Sequence, residues 1–404
     1  NVKQRRPYLT DISVNSLRTK NCPDRHNRKE KQILMGLYEE RNARFEAAIT
    51  LETVDKVPLI SGGMASNAAF MGVKLADYLS DPELSCTVNI EATKLMGNVD
   101  GVQSLIFCPD ALSLMWFSQV TVPGRELPDN ELWQIREQPL IQQADYDDIL
   151  ENGYKQWRQR FLKEKLGDPL SKIKKFNEYE SVAARRFYEA DIPCVKQTNL
   201  MSPFEMFCGG RSLTEFLTED LMEIPQKLDE VFAVTHAYNM EQYTQLLQSD
   251  HKAYGVWVGG WGGTPGMINR EWFEHYSWKY IRELVDLCGN YRVIPILHLD
   301  SCWDLGLSYF RELPAKKCVM ALDGKTDIFK AKEAVGDRMC IMGDVSAEML
   351  AFGKPSDVFD YVTKLLNNIG PTGYIVCSGC DIPFNARLEN VQMMSKAVDD
   401  FARR

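Results

Sequence analysis

Two short apolar runs in this chain end in side chains that bind metals. One is Val293-Ile-Pro-Ile-Leu-His298-Leu-Asp300-Ser-Cys302 and the other is Tyr374-Ile-Val-Cys377-Ser-Gly-Cys380-Asp-Ile-Pro383. His298 and Asp300 stand two apart, so on an extended strand their side chains point the same way. Cys380 closes the second run. If both runs end at one rim of one sheet, an imidazole, a carboxylate and a thiolate meet there. Zinc takes such donors in a tetrahedron, and catalytic sites keep one position open. Cys377 and Cys302 are the substitute ligands. Cys377-x-x-Cys380 also has the spacing of a redox pair, but that motif opens a helix after a first strand, which is not its setting here.

Taken singly, each residue has a plainer explanation. A histidine at a strand end usually serves as a hydrogen-bonded structural group. Cysteines in apolar runs behave as small hydrophobes. Asp323 and Asp344 have the position of helix caps. Trp116, Trp257 and Trp261 suit packing. The joint placement of His298, Asp300 and Cys380 at strand ends favours the metal.

The elements that must position these groups alternate. Strand-like runs occur at 57–60, 104–107, 193–197, 254–258, 293–298, 317–322, 339–342 and 374–376. Helical spacing is clearest at 29–49, 82–97, 178–189, 221–247, 270–287, 327–335, 356–368 and 387–403. Alternation argues a parallel sheet, and eight strands argue closure into a (β/α)8 TIM barrel. Residues 1–45 read as an N-terminal arm and helix that extend a barrel over 46–404. The segment at about 115–170 is too long for a simple crossover and reads as an insertion after the second strand. The strand ends run into Ser61-Gly62-Gly63, Thr198-Asn199, Gly259-Gly260-Trp261, Asp323-Gly324 and Gly343-Asp344. Sites in such barrels are built at these carboxyl ends.

Bulk composition sets limits. The 404 residues are 45% hydrophobic and 25% charged, as in ordinary globular chains. A net charge of −9 argues against nucleic acid as the main partner. No apolar run is long enough to span a membrane, and no signal-peptide core is evident at Asn1-Val-Lys-Gln. Eleven cysteines, an odd number, suit reduced thiols and a cytoplasmic protein.

Several segments resemble the uroporphyrinogen decarboxylase superfamily, and within it the zinc-dependent corrinoid methyltransferases of the O-demethylase type. Arg44-Phe-Glu-Ala-Ala-Ile with Asp55-Lys-Val-Pro58 looks like the opening helix and first strand. Ser202-Pro-Phe-Glu-Met with Gly209-Gly210 resembles the Gly-Pro-Phe segment, and Ile296-Leu-His298 the start of a His-x-Cys zinc element. Lys330–Arg338 through Ile341-Met-Gly343-Asp-Val345 is similar to the penultimate strand. Ser378-Gly-Cys380-Asp-Ile-Pro383 with Leu388-Glu-Asn390 is similar to the final Gly-Cys element. The chain departs from the family twice. Ile60-Ser-Gly-Gly-Met-Ala-Ser lacks the arginines with which a decarboxylase holds its polycarboxylate substrate. Asp300 stands where the methyltransferase pattern has cysteine, which makes a bound zinc a harder Lewis acid, better suited to an ether oxygen than to a thiol.

The resemblance implies methyl transfer from a methoxylated aromatic to the cobalt of a separate corrinoid protein, since the Asp-x-His-x-x-Gly signature of a corrinoid carrier is absent. His298, Asp300 and Cys380 would be the zinc ligands. Asp344 and Asp323, with Asn199, would orient ligands or polarise substrate. Phe204, Trp261 and Trp116 would shape a ring pocket. A homodimer is the expected assembly. The rival readings are methyl transfer from a methylcorrinoid protein to a thiol, a metal-free decarboxylase-like lyase, and a non-catalytic tetrapyrrole-binding barrel. Glu215, Glu230 and His251 carry a spacing proposed for zinc in related demethylases. One helix over 221–247 would set Glu230 and His251 roughly 30 Å apart, however.

Overall fold

The computed structural model of this protein describes residues 36–248 and 254–404. The N-terminal arm, the first part of the helix expected from residue 29, and His251 lie outside these residues. Strands β5 (Lys196–Leu200), β6 (Gly255–Gly260), β7 (Ile294–Leu299), β8 (Val319–Leu322), β9 (Cys340–Val345) and β10 (Tyr374–Ser378) form one parallel sheet in sequence order. Two short strands, β1 (Ile60–Ser61) and β2 (Gly101–Val102), pair in parallel with each other. Single parallel bridges link Leu59 to Val376 and Val102 to Cys194, joining this pair to both edges of the larger sheet.

Strands β8, β9 and β10 are buried throughout because a parallel sheet is covered on both faces, whereas β5, β6 and β7 also carry half-buried residues. Their period of two divides the core. Ile296, Val319, Ala321, Met342, Ile375 and Cys377 pack into one cluster. Leu297, Leu299, Met320, Leu322, Ile341 and Val376 belong to the larger cluster shared with the surrounding helices. Helix α1 (Leu37–Ile49) inserts Phe45, Ala48 and Ile49 into the first cluster, beside Val195 and Ile294 where strands begin. That end of the sheet is therefore packed shut, and chemistry is left to the other end. Burying a ring such as Phe45 contributes about 1.5–3 kcal/mol.

The opening motif also has an electrostatic role. Arg44 of α1 and Lys56 approach the two oxygens of fully buried Asp100 at 3.0 and 2.8 Å, and Asp100 also accepts the Leu59 backbone N–H at 2.9 Å. Arg44 further forms two hydrogen bonds to Asp55, both 2.9 Å. Removing one partner of the buried set around Asp100 typically costs about 3–5 kcal/mol, whereas Asp55 is partly exposed and contributes less.

The second strand lies earlier than the sequence pattern suggested. It is Gly101–Val102, and Ser104–Phe107 is a loop. The run is apolar because Leu105, Ile106 and Phe107 line a cavity. The segment after it forms an antiparallel hairpin, β3 (Gln119–Thr121) with β4 (Gln134–Arg136), and then helices at Gln143–Asn152 and Tyr154–Glu164. Helix α2 (Pro169–Glu189) leads back to β5. Helices α3 (Pro203–Arg211) and α4 (Pro225–Leu247) follow β5, α5 (Pro355–Asn368) follows β9, and α6 (Leu388–Ala402) follows β10. Among the described residues no helix is long and apolar enough to cross a membrane. The ten cysteines in them are free thiols.

Candidate active site

His298 and Asp300 meet at the carboxyl end of β7, with Nε2 3.2 Å from Oδ1. Cys380, just past β10, joins them. One ligand atom from each of the three lies within 4.8 Å of the others. Among the described residues this is the one group of three such donors close enough to share an ion. Zinc bonds of about 2.0–2.3 Å put tetrahedral ligands roughly 3.3–3.8 Å apart. The histidine–aspartate separation already falls near this range, and a small contraction brings in the sulfur. The donor set and its spacing fit zinc.

Local sequence explains each placement. Leu297 and Leu299 are buried on the helix side, so the residue between them faces inward. The His298 imidazole lies flat on the Trp257 indole, with ring centres 4.1 Å apart and planes 10° apart. Asp300 stands at the start of a turn that the next loop holds in place. Ser301 N–H donates to Asp323 Oδ2 at 3.0 Å, and Trp303 N–H to Thr326 Oγ1 at 2.9 Å. Trp303 Nε1 donates to the Asp300 carbonyl at 3.0 Å. Cys380 depends on Gly379. A Cβ at Gly379 would stand 2.5 Å from the Asp323 carbonyl oxygen, so only glycine lets the end of β10 approach the end of β8 this closely.

The electrostatics are those of an acid-rich, partly dry site. Burial, and then Asp381 and Asp300, push the Cys380 thiol far above its ordinary range. A bound dication would reverse that preference. Burial pushes the Asp381 carboxyl up to about 6, with Lys196 and His298 opposing the rise. Burial likewise holds the Lys196 ammonium below the usual lysine range, with Asp381 opposing the fall.

The three donors open onto a cavity of about 920 Å³. Leu105, Phe107, Met115, Trp116, Phe176 and Trp257 give it apolar walls, and Asn199, Asp381 and Lys196 give polar points near the ligands. Asn199 and Trp116, two of the residues named from the sequence, line this cavity. Other candidates do not reach the cavity. Phe204 is fully buried and meets Phe216 edge-on, with ring centres 5.0 Å apart. Trp261 lies in the loop after β6, and its backbone N–H donates to Glu205. Asp323 holds the Ser301 and Lys325 N–H groups. Asp344 is buried and accepts from Tyr361 of α5 at 2.7 Å, and burial raises its carboxyl above the usual range. Cys377 faces the packed interior, where Gln103 Nε2 donates to its sulfur at 3.1 Å. Cys302 is exposed and outside the donor group. Glu215 is engaged by Arg211, and Glu230 is exposed.

Three contributors escaped the sequence reading. Trp257 stacks on the candidate ligand. Lys196 faces the cavity. Glu205 is deeply buried and accepts backbone N–H groups from Trp261, Gly262 and Gly263 at 2.8–3.2 Å. Its one sequence signal was an acidic residue inside an apolar helix start near a glycine-rich turn.

Comparison with known proteins bears on this arrangement. The family model of uroporphyrinogen decarboxylase (URO-D) matches residues 199–401, which contain all three donors. A uroporphyrinogen decarboxylase from Dechloromonas aromatica is 24% identical over 339 residues, covering 80% of this chain and 84% of that protein. One from Coxiella burnetii is 24% identical over 215 residues, 50% of this chain and 56% of that protein. A solved methyltransferase from Methanosarcina mazei is 18% identical and superposes with a TM-score of 0.66, covering 89% of this chain and 98% of that one. At that identity the likeness is one of fold.

Proposed function

Because the chain belongs to the uroporphyrinogen decarboxylase family, we propose that its eight parallel strands close into a (β/α)8 barrel whose rim carries a zinc-dependent methyltransferase site. The reaction is transfer of a methyl group from a methoxylated aromatic to the cobalt of a separate corrinoid protein. His298, Asp300 and Cys380 would hold the zinc. Bound there, zinc would supply Lewis acidity to an ether oxygen as negative charge develops on it.

The chain's own residues do the rest. The apolar walls around Trp116, Phe107 and Trp257 would take the aromatic ring and exclude water. Trp257 fixes the plane of His298. Asp323 holds the turn that presents Asp300. Asn199 offers a polar contact beside the ring. The open side of the cavity would admit the methyl acceptor.

The observation that carries this reading is the convergence of the three donors at one rim. A second argues against porphyrinogen decarboxylation. Among the cavity residues the cations are Arg158 and Lys196, against the acids Glu180, Asp300 and Asp381. A substrate bearing many carboxylates would be repelled there. Carboxylate in place of thiolate at position 300 favours ether over thiol chemistry.

Metal analysis tests the site. Wild type should hold about one zinc per chain, and Cys380→Ala should hold far less at the same free zinc. Full occupancy in both would remove Cys380 from the ligand set. Incubation with a reduced corrinoid protein and a methoxyarene should yield methylcobalamin absorbance and the phenol. Methylation of a thiol instead would point to the reverse direction.

A further inference from the structure

Of the two cations that line the cavity, Arg158 and Lys196, it is Lys196 that lies in the sheet whose strand ends carry the candidate ligands, and among the described residues no carboxylate is in contact with its ammonium. Lys196 opens β5 and lines the cavity. Its ammonium has three N–H donors. One reaches Asn199 Oδ1 at 3.3 Å. Nζ also sits 4.1 Å from the centre of the Trp257 ring, a contact that favours a cation but satisfies no hydrogen bond. Among the described residues no carboxylate pairs with it, although the charge of Asp381 is felt nearby. The contrast is Lys56, a buried lysine whose Nζ is 2.8 Å from Asp100. Withdrawing an ammonium from water is costly unless an anion accompanies it.

Position gives this cation a purpose. Lys196, Trp257 and His298 lie on successive strands β5, β6 and β7. The ammonium and the imidazole both touch the same indole. Lys196 and the three candidate ligands line the same cavity, so one substituted ring held there could face both.

We propose that Lys196 is a specificity-determining residue that binds a carboxylate on the substrate, so that the substrate is an acidic aromatic rather than a neutral one. The carboxylate accepts the two free N–H donors of Lys196, and the ether end turns to His298, Asp300 and Cys380. Asn199 holds the ammonium in place, while its own Nδ2 donates to Met115 Sδ at 3.2 Å. The aromatic and ether parts of this substrate rest on the methyl-transfer reading above. The carboxylate does not, since it follows from Lys196 alone. The bland rival is that Lys196 only offsets the charge of Asp381.

Calorimetric binding to the full chain separates these readings. The probes are two acid and amide pairs: benzoate with benzamide, and 4-methoxybenzoate with 4-methoxybenzamide. Wild type, Lys196→Met and Lys196→Arg are compared, each zinc-loaded and again with a chelator present. Wild type should bind each acid on the order of ten- to a hundredfold more tightly than its amide, the range for a charge-assisted hydrogen bond. Lys196→Met should erase that preference and leave amide binding within about twofold, while Lys196→Arg should keep part of it. Persistence with the chelator excludes the metal as the source. The wild-type comparison needs no variant, so it stands even if Lys196→Met folds poorly. Equal acid and amide affinity in wild type, no acid binding, or a preference that survives Lys196→Met each overturns the proposal. If acid preference tracks Lys196 while the methoxy group adds no affinity and no methyl is transferred, the demethylation reading falls and the Lys196 assignment stands.

Discussion

Trp257 and His298 form a parallel stack with ring centres 4.1 Å apart, joining β6 to β7 at the point where the candidate ligands converge. The indole limits rotation of the imidazole, so the nitrogen facing Asp300 is held in place before any ion arrives. Groups that orient a ligand without touching the metal typically change metal affinity 10- to 100-fold when lost. Trp257→Ala should weaken zinc binding by roughly tenfold or more, and Trp257→Phe by much less. Competition against a chromophoric chelator measures both. Wild-type affinity in Trp257→Ala would show that the stack does not orient His298.

As a zinc ligand, Asp300 would set the hardness of the proposed site. Asp300→Cys should replace an oxygen donor by a second thiolate and favour softer ions. Loaded with cadmium, the variant should show about twice the thiolate-to-metal charge-transfer absorbance of wild type, one thiolate becoming two. Unchanged absorbance would mean that residue 300 does not reach the ion.

Glu205 holds the turn after β6. Its carboxylate accepts three backbone N–H groups, and a Cβ at Gly260 would collide with it. Glu205→Gln leaves buried donors poorly matched, so a loss of about 1–3 kcal/mol is expected in urea unfolding. Gly260→Ala should cause a loss of the same kind by displacing the carboxylate. If both variants unfold like wild type, the turn does not depend on this contact.

The Asp55–Arg44 pair gives a pH signature. Burial alone would raise the Asp55 carboxyl, but the two hydrogen bonds from Arg44 outweigh it and hold the group below the usual carboxylate range. A depressed folded value means that the pair stabilises fully above the unfolded pKa of about 3.9, and that this stability is lost as pH falls through the folded value. The stability difference between wild type and Asp55→Asn should be constant above about pH 5 and shrink below about pH 4. It should be small, at most about 1 kcal/mol, because Asp55 is partly exposed. A difference that grows on acidification would reverse the assignment.

Much of this protein was legible from local pattern. Apolar runs of strand length, helical spacing between them and ligand residues at their ends are all local, so β5 to β10 and the trio His298, Asp300 and Cys380 could be named from the chain alone. Ser104–Phe107 misled because an apolar cavity wall and a buried strand draw on the same residues.

Periodicity states which way a side chain faces, but not what stands opposite. Only the strand order and register turned Cys377 into the packed interior, engaged Asp323 with the backbone of Ser301 and Lys325, and buried Phe204 against Phe216. The same packing set Lys196 and His298 against one indole. The chain thus dictated the candidate donors and the elements that carry them. Contacts between strands far apart in sequence decided which donors share a site and which cation faces them.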